Sequence, residues 1–224
     1  MTVPTNIFDV MPAMPYESLR SKIQNGDLLL CSGDARFSRL IQWATRSPWS
    51  HVGVIVTLPH VDRLMVLQSV TGAGVSTVSL SGLINGAGSH RAPYPGRLLI
   101  ARHADFAAQV DNGKLRDMAA FAVDRFGSPY ASGEVLKVLA RICAGWLNLK
   151  MPPMLQPDDE FICSEYAAAC YEKTGIEIQW DGLGFIAPCD FALDPKVSAV
   201  GVIQSKQGQR PAKTQRAKGV TSRG

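Results

Sequence analysis

A histidine heading a strand comes before a cysteine heading a helix, and any fold for this chain must join the two in that order. His51 lies in Ser50-His51-Val52-Gly53-Val54-Ile55-Val56, a polar start running into β-branched residues, the pattern of a strand. Cys163 lies in Phe161-Ile162-Cys163-Ser164-Glu165-Tyr166, at the start of an Ala-rich helical run. A thiol at a helix N-terminus and an imidazole on a strand are the two halves of a cysteine nucleophile site.

The segments around them predict an α+β domain. Gly26-Asp27 leads into a short buried strand, Leu28-Leu29-Leu30-Cys31, bounded by Ser32-Gly33. Residues 36–46 place Phe37, Leu40, Ile41 and Ala44 at amphipathic helical spacing. Ser47-Pro48-Trp49-Ser50 breaks that helix, and a strand over 51–57 follows. Pro59-His60-Val61-Asp62 reads as a turn, with strands over 63–70 and 74–80 after it. Residues 81–96, rich in Gly and Pro, read as a loop, and 97–102 as another strand. Helices return at 114–126, with Leu115, Met118, Ala119, Ala122 and Phe126 on one face, and at 133–149, capped by Ser132. Pro152, Pro153 and Pro157 stiffen the loop before the Cys163 helix, which runs to about Thr174 and stops at Gly175. A last short strand covers 198–203. Strands clustered mid-chain with helices on either side predict a largely antiparallel central sheet. Residues 1–25 read as an irregular N-terminal arm, 26–203 as the domain and 204–224 as a C-terminal tail.

The 224 residues, 46% apolar and 19% charged, suit a single domain with a substantial core. The charge is uneven. From Gln204 onward there are six basic residues and no acid, which leaves 17 basic against 19 acidic side chains in the rest. Such a tail is solvated and disordered, or it docks on an acidic partner or a neighbouring protein of a larger assembly. The first 25 residues carry Pro4, Pro12 and Pro15 but no basic start followed by an apolar block, so no secretory signal is expected. The most apolar stretch, Val135 to Leu147, is interrupted by Lys137 and Arg141, and a bilayer span needs ~20 residues. The expectation is a chain with no transmembrane segment, cytoplasmic as synthesised, that reaches a virion or the cell envelope by another route. Five cysteines without a CxxC pair predict reduced thiols rather than a zinc site, and no cofactor is expected.

Each candidate residue has two readings. Cys163 shares a helix face with Tyr166, Ala167 and Cys170, as a buried core thiol would. Its place in the first helical turn, after a polar Pro-rich loop, predicts instead an exposed helix start where free N–H groups lower the thiol pKa. Asp158, Asp159 and Glu160, just upstream, would oppose a thiolate. His51 alone is a surface or capping residue; beside a thiol it is a base. Gln68 is the one non-hydroxyl polar side chain in the apolar run of the next strand. It either faces solvent at a strand edge or bonds the far ring nitrogen of His51 and fixes its tautomer.

Gly26-Asp27-Leu28-Leu29, Ser50-His51-Val52-Gly53-Val54, Gly74-Val75, Gly127-Ser128-Pro129-Tyr130 and Cys163-Ser164-Glu165 occur in that order. The series resembles the permuted papain-like amidases, the circularly permuted branch of the NlpC-type cysteine peptidases, over residues 24–192. The resemblance implies a circularly permuted papain-like fold, Cys163 as nucleophile, His51 as general base, Gln68 as the third polar group and Tyr130 lining the site. Many members look to carry Glu where this chain has Gln68, and the acid that often follows the tyrosine is Ala131 here. Glu165 reads as structural, because it points to a different helix face from Cys163.

Three functions fit. The first is a cysteine hydrolase of amide bonds, with peptidoglycan peptides as substrate and a phage particle or an injected effector as vehicle. The second is a thioester-forming lipid acyltransferase or hydrolase, with residues 135–147, including Trp146, lining an acyl groove. The third is a catalytically weak structural component of a larger assembly, favoured by Gln68 and Ala131.

Overall fold

The computed structural model describes residues 2–87, 92–130, 162–180 and 186–204. Its centre is a seven-stranded sheet: β1 (Ala13–Met14), β2 (Leu28–Gly33), β3 (His51–Leu58), β4 (Arg63–Val70), β5 (Gly74–Ser79), β6 (Gly96–His103) and β7 (Val197–Ile203), in the spatial order β1-β7-β6-β2-β3-β4-β5. Every pairing is antiparallel except β1 with β7. The chain is thus a mixed α+β protein with a sheet flanked by helices.

β2 explains how the sheet is held. All six of its residues are buried, because both faces of the sheet are covered and successive side chains alternate between them. Leu28 and Leu30 join the core that contains Val52, Val54, Leu67 and Tyr166. Leu29 and Cys31 join the other, with Ile55, Val66, Leu80 and Leu83. The helix Cys163–Glu172 lies on β3 and β4, and it is tied down at two points. Tyr166 donates its hydroxyl to the Ala122 carbonyl at 3.0 Å, and Tyr171 donates to the Gly26 carbonyl.

Gly26-Asp27 is a structural joint. Gly26 has φ +79°, and a Cβ there would sit 2.2 Å from the Phe106 ring. Asp27 is 1% exposed. Its carboxylate accepts from Arg102 Nε at 2.7 Å and Nη2 at 2.8 Å, and from the Gln24 amide at 2.8 Å. A buried carboxylate needs such partners to persist as an ion.

The structure departs from the sequence reading in five places. Residues 1–25 are not irregular. They hold the short helices Ile7–Val10 and Tyr16–Arg20 and the edge strand β1, and Val3, Ile7, Tyr16, Leu19 and Ile23 are buried. The Gly- and Pro-rich stretch after β5 opens with a helix, Leu80–Asn85, that Ser79 caps by accepting from the Gly82 amide at 3.1 Å. It buries Leu80, Leu83 and Ile84, so tertiary packing overrides its glycines. Two further short helices, Ala104–Gln109 and Pro188–Leu193, have no apolar periodicity long enough to read. On the helix Arg36–Thr45, Ile41 and Ala44 face the core as the spacing predicts, but Phe37 and Leu40 remain exposed. The helix Asn112–Asp124 begins and ends two residues before the predicted bounds, and Phe126, expected on its apolar face, is exposed. The helix expected over 133–149, the Pro152–Pro157 loop, Ala131, the acids at 158–160 and the basic tail from 205 onward lie outside the described residues.

Candidate active site

The sheet end at the start of β3 and the N-terminus of the helix Cys163–Glu172 meet at one cavity. Cys163, His51, Gln68 and Tyr130, the four residues singled out from sequence, all line it, in a volume of about 250 Å³. A larger apolar cavity of about 400 Å³, under the helix Asn112–Asp124, contains none of the four.

Cys163 is the first residue of its helix. The helix start is fixed locally. The Ile162 amide donates to Glu165 Oε2 at 3.4 Å, so Glu165 serves the cap, as its place on the helix predicts. Ser164, 1% exposed, donates its hydroxyl to the Ile186 carbonyl at 2.6 Å.

Of the two readings of the thiol, the structure gives the buried one: Cys163 is 5% exposed. Burial pushes its pKa up to about 11, against the main-chain N–H groups of Val52, Ser164 and Cys163 itself. Those donors and the helix terminus favour a thiolate, but desolvation outweighs them.

His51 is the first residue of β3, and its ladder partner on β2 is Cys31. Its Nε2–H donates to Gln68 Oε1 at 3.0 Å. Because Oε1 only accepts, the proton sits on Nε2 and Nδ1 keeps its lone pair. Burial lowers the imidazole pKa to about 4, with the Gln68 bond opposing the shift. At neutral pH the cavity therefore holds a neutral thiol and a neutral imidazole, not an ion pair.

Gln68 is 3% exposed, so the solvent-facing reading of this side chain is overturned. Gly53 lies across from it: a Cβ at 53 would come within 3.7 Å of Gln68 Cβ and 2.6 Å of Val66 Cγ1. The missing side chain leaves room for Val66 beside Gln68, which reaches His51 diagonally. Tyr130 is half-buried and hydrogen-bonded to Thr71, and burial raises its pKa, so it keeps its hydroxyl proton.

Further polar groups line the cavity without having been singled out from sequence, among them Cys31, Ser50 and Tyr94. Ser50 Oγ accepts from the Gly33 amide at 3.0 Å and donates to the Cys31 carbonyl at 3.3 Å. The Tyr94 hydroxyl is hydrogen-bonded to Ser50 and to the Cys31 thiol. Ser50, immediately before His51, carried a readable signal as the polar head of the strand. Tyr94 sits between prolines in a stretch that reads as loop, and nothing local marks it.

No family model and no curated protein matches the sequence. Among solved structures, the chain is similar to the metalloprotein YiiX, DUF1105, from Escherichia coli O157:H7, with a TM-score of 0.55 and 17% identity over 79% of this chain and 95% of that one. At that identity the likeness is one of fold. Among the described residues no group of three or more His, Cys, Asp and Glu is placed to hold a metal ion. Among the described residues no helix is long and apolar enough to cross a membrane.

Proposed function

We propose that the chain is a cysteine hydrolase of amide bonds with a circularly permuted papain-like, NlpC-type fold. Peptidoglycan peptides are the substrate class. The observation that carries this reading is the 3.0 Å bond from His51 Nε2 to Gln68 Oε1 in the cavity that Cys163 also lines. It leaves Nδ1 as the basic nitrogen, the arrangement a histidine needs to serve a thiol.

Since neither group is charged at rest, the thiol proton passes to His51 Nδ1 as sulfur attacks the amide carbonyl. The carbonyl oxygen takes the negative charge, and the Cys163 main-chain N–H at the helix start is its donor. Tyr130 supplies a second hydroxyl donor. Imidazolium then protonates the leaving amine as the C–N bond breaks, which leaves a thioester on Cys163. Water, deprotonated by His51, attacks the thioester, releases the carboxylic acid and returns the thiol.

The test is incubation with purified peptidoglycan. The reading predicts new free amines from the native protein and none from Cys163→Ala. Absence of amine release from the native protein overturns the amide assignment. A second reading, thioester chemistry on lipid acyl groups, is favoured by the apolar part of the cavity wall: Phe37, Ile41, Val70 and Leu83. Release of fatty acid from phospholipid, abolished in Cys163→Ala, identifies it.

A further inference from the structure

The helix Arg36–Thr45 turns an apolar stripe outward. Leu40 is 42% exposed and Trp43 56%, three residues apart on one side. The side that carries Phe37, Ile41 and Ala44 is spent on the fold: Ile41 and Ala44 are buried, Phe37 lines the Cys163 cavity, and Gln42 Nε2 donates to the Gly33 carbonyl at 3.0 Å. Arg46, in the left-handed region at φ +50°, closes the helix. The stripe is therefore left outside a helix that is firmly seated, not one that is loosely packed.

Arginines flank the exposed residues: Arg36 and Arg39 are both exposed, and the one acid beside the helix in sequence is Asp34, two residues before it. An aromatic and aliphatic stripe between arginines, on a helix lying along a protein surface, is the pattern that seats a helix in the headgroup layer of an anionic membrane. A nucleic acid would engage the arginines and stack a base on Trp43 but leave the aliphatic Leu40 in water. Phe37, Ser38 and Ile41 of the same helix line the Cys163 cavity, so whatever covers the stripe lies at the mouth of that cavity.

We infer that the helix Arg36–Thr45 is a docking surface for an anionic lipid surface. Leu40 and Trp43 enter the interface, Arg36 and Arg39 contact lipid phosphates, and the cavity opens toward the headgroups. The inference does not depend on what Cys163 does.

The experiment is flotation of the full chain with vesicles of equal parts phosphatidylglycerol and phosphatidylcholine, against vesicles of phosphatidylcholine alone. The expected result is binding to the anionic vesicles, weakened by added salt. The double variant Arg36→Gln/Arg39→Gln should lose about 25-fold in affinity, about fivefold per arginine. Leu40→Ser/Trp43→Ser, at exposed positions, should lose binding while keeping the native circular dichroism spectrum. Cys163→Ala should bind like the native protein, which separates this test from that of the hydrolase. Equal binding to both vesicle types, no binding, or binding unchanged in both double variants overturns the proposal. So does a dimer on gel filtration that Leu40→Ser disrupts, because the stripe would then serve a second copy of the chain.

Discussion

Nε2 of His51 lies 3.0 Å from Oε1 of Gln68, a diagonal pair across β3 and β4. A neutral amide, not a carboxylate, thus sets the tautomer of the ring. Its bond favours the protonated ring less than burial disfavours it, so the pKa falls to about 4.

Replacing Gln68 therefore has two opposite outcomes. Gln68→Glu places a buried negative charge on the ring and raises the His51 pKa from about 4, so the acid limb of the pH–rate profile moves to higher pH. Gln68→Ala removes the orienting bond and should cost about tenfold in rate at neutral pH, the worth of one hydrogen bond. Pre-steady-state alkylation of Cys163 followed by mass spectrometry reads both.

The pH profile of the native protein follows from the two shifts. His51 is neutral above about 4 and Cys163 stays protonated below about 11, so the competent pair persists between those values. The rate should be flat across neutral pH and fall as pH drops through about 4, where His51 takes a proton and ceases to be a base. In His51→Ala the base is gone and only free thiolate reacts. Its rate should rise about tenfold per pH unit toward the thiol pKa.

Gly53→Ala tests the strand approach. The new Cβ would lie 2.6 Å from Val66 Cγ1, so β3 and β4 must part or Val66 must shift. The expected cost is about 1–3 kcal/mol in urea denaturation. A loss of alkylation rate resembling that of Gln68→Ala should accompany it.

Asp27→Asn tests the joint beneath β2. It removes the buried negative partner of Arg102, which now donates to both carboxylate oxygens. The expected loss is about 3 kcal/mol, measured by urea denaturation, with the alkylation rate of the folded protein unchanged.

Much of this arrangement was legible in the sequence, for physical reasons that differ by element. The β-branched run after His51 and the Leu run before Cys31 are buried on both faces, so hydrophobicity alone marks them as strands. The Cys163 helix has a cap and a glycine stop that local rules read. The helix Leu80–Asn85 was hidden because its stability comes from burying Leu80, Leu83 and Ile84 rather than from propensity. The same is true of the first 25 residues, whose prolines break any period although Val3, Ile7 and Leu19 are buried. At the site, the four residues singled out from the sequence, Cys163, His51, Gln68 and Tyr130, line one cavity. Spacing left a buried and an exposed reading of the thiol open, because desolvation depends on what the rest of the chain packs above the helix terminus. Tyr94 and Cys31 were invisible for the same reason: only the register of β2 on β3 puts Cys31 opposite His51.

The most direct test of the Cys163–His51 site is the rate of alkylation of each free thiol by iodoacetamide at neutral pH, in the native protein and in His51→Ala. Cys163 should react faster than Cys31, Cys170 and Cys189, all of them buried free thiols. Its rate should fall about 100-fold in His51→Ala, the contribution of a positioned general base. Equal rates at Cys163 in the two proteins, or a Cys163 that does not react at neutral pH, would contradict the assignment of the site.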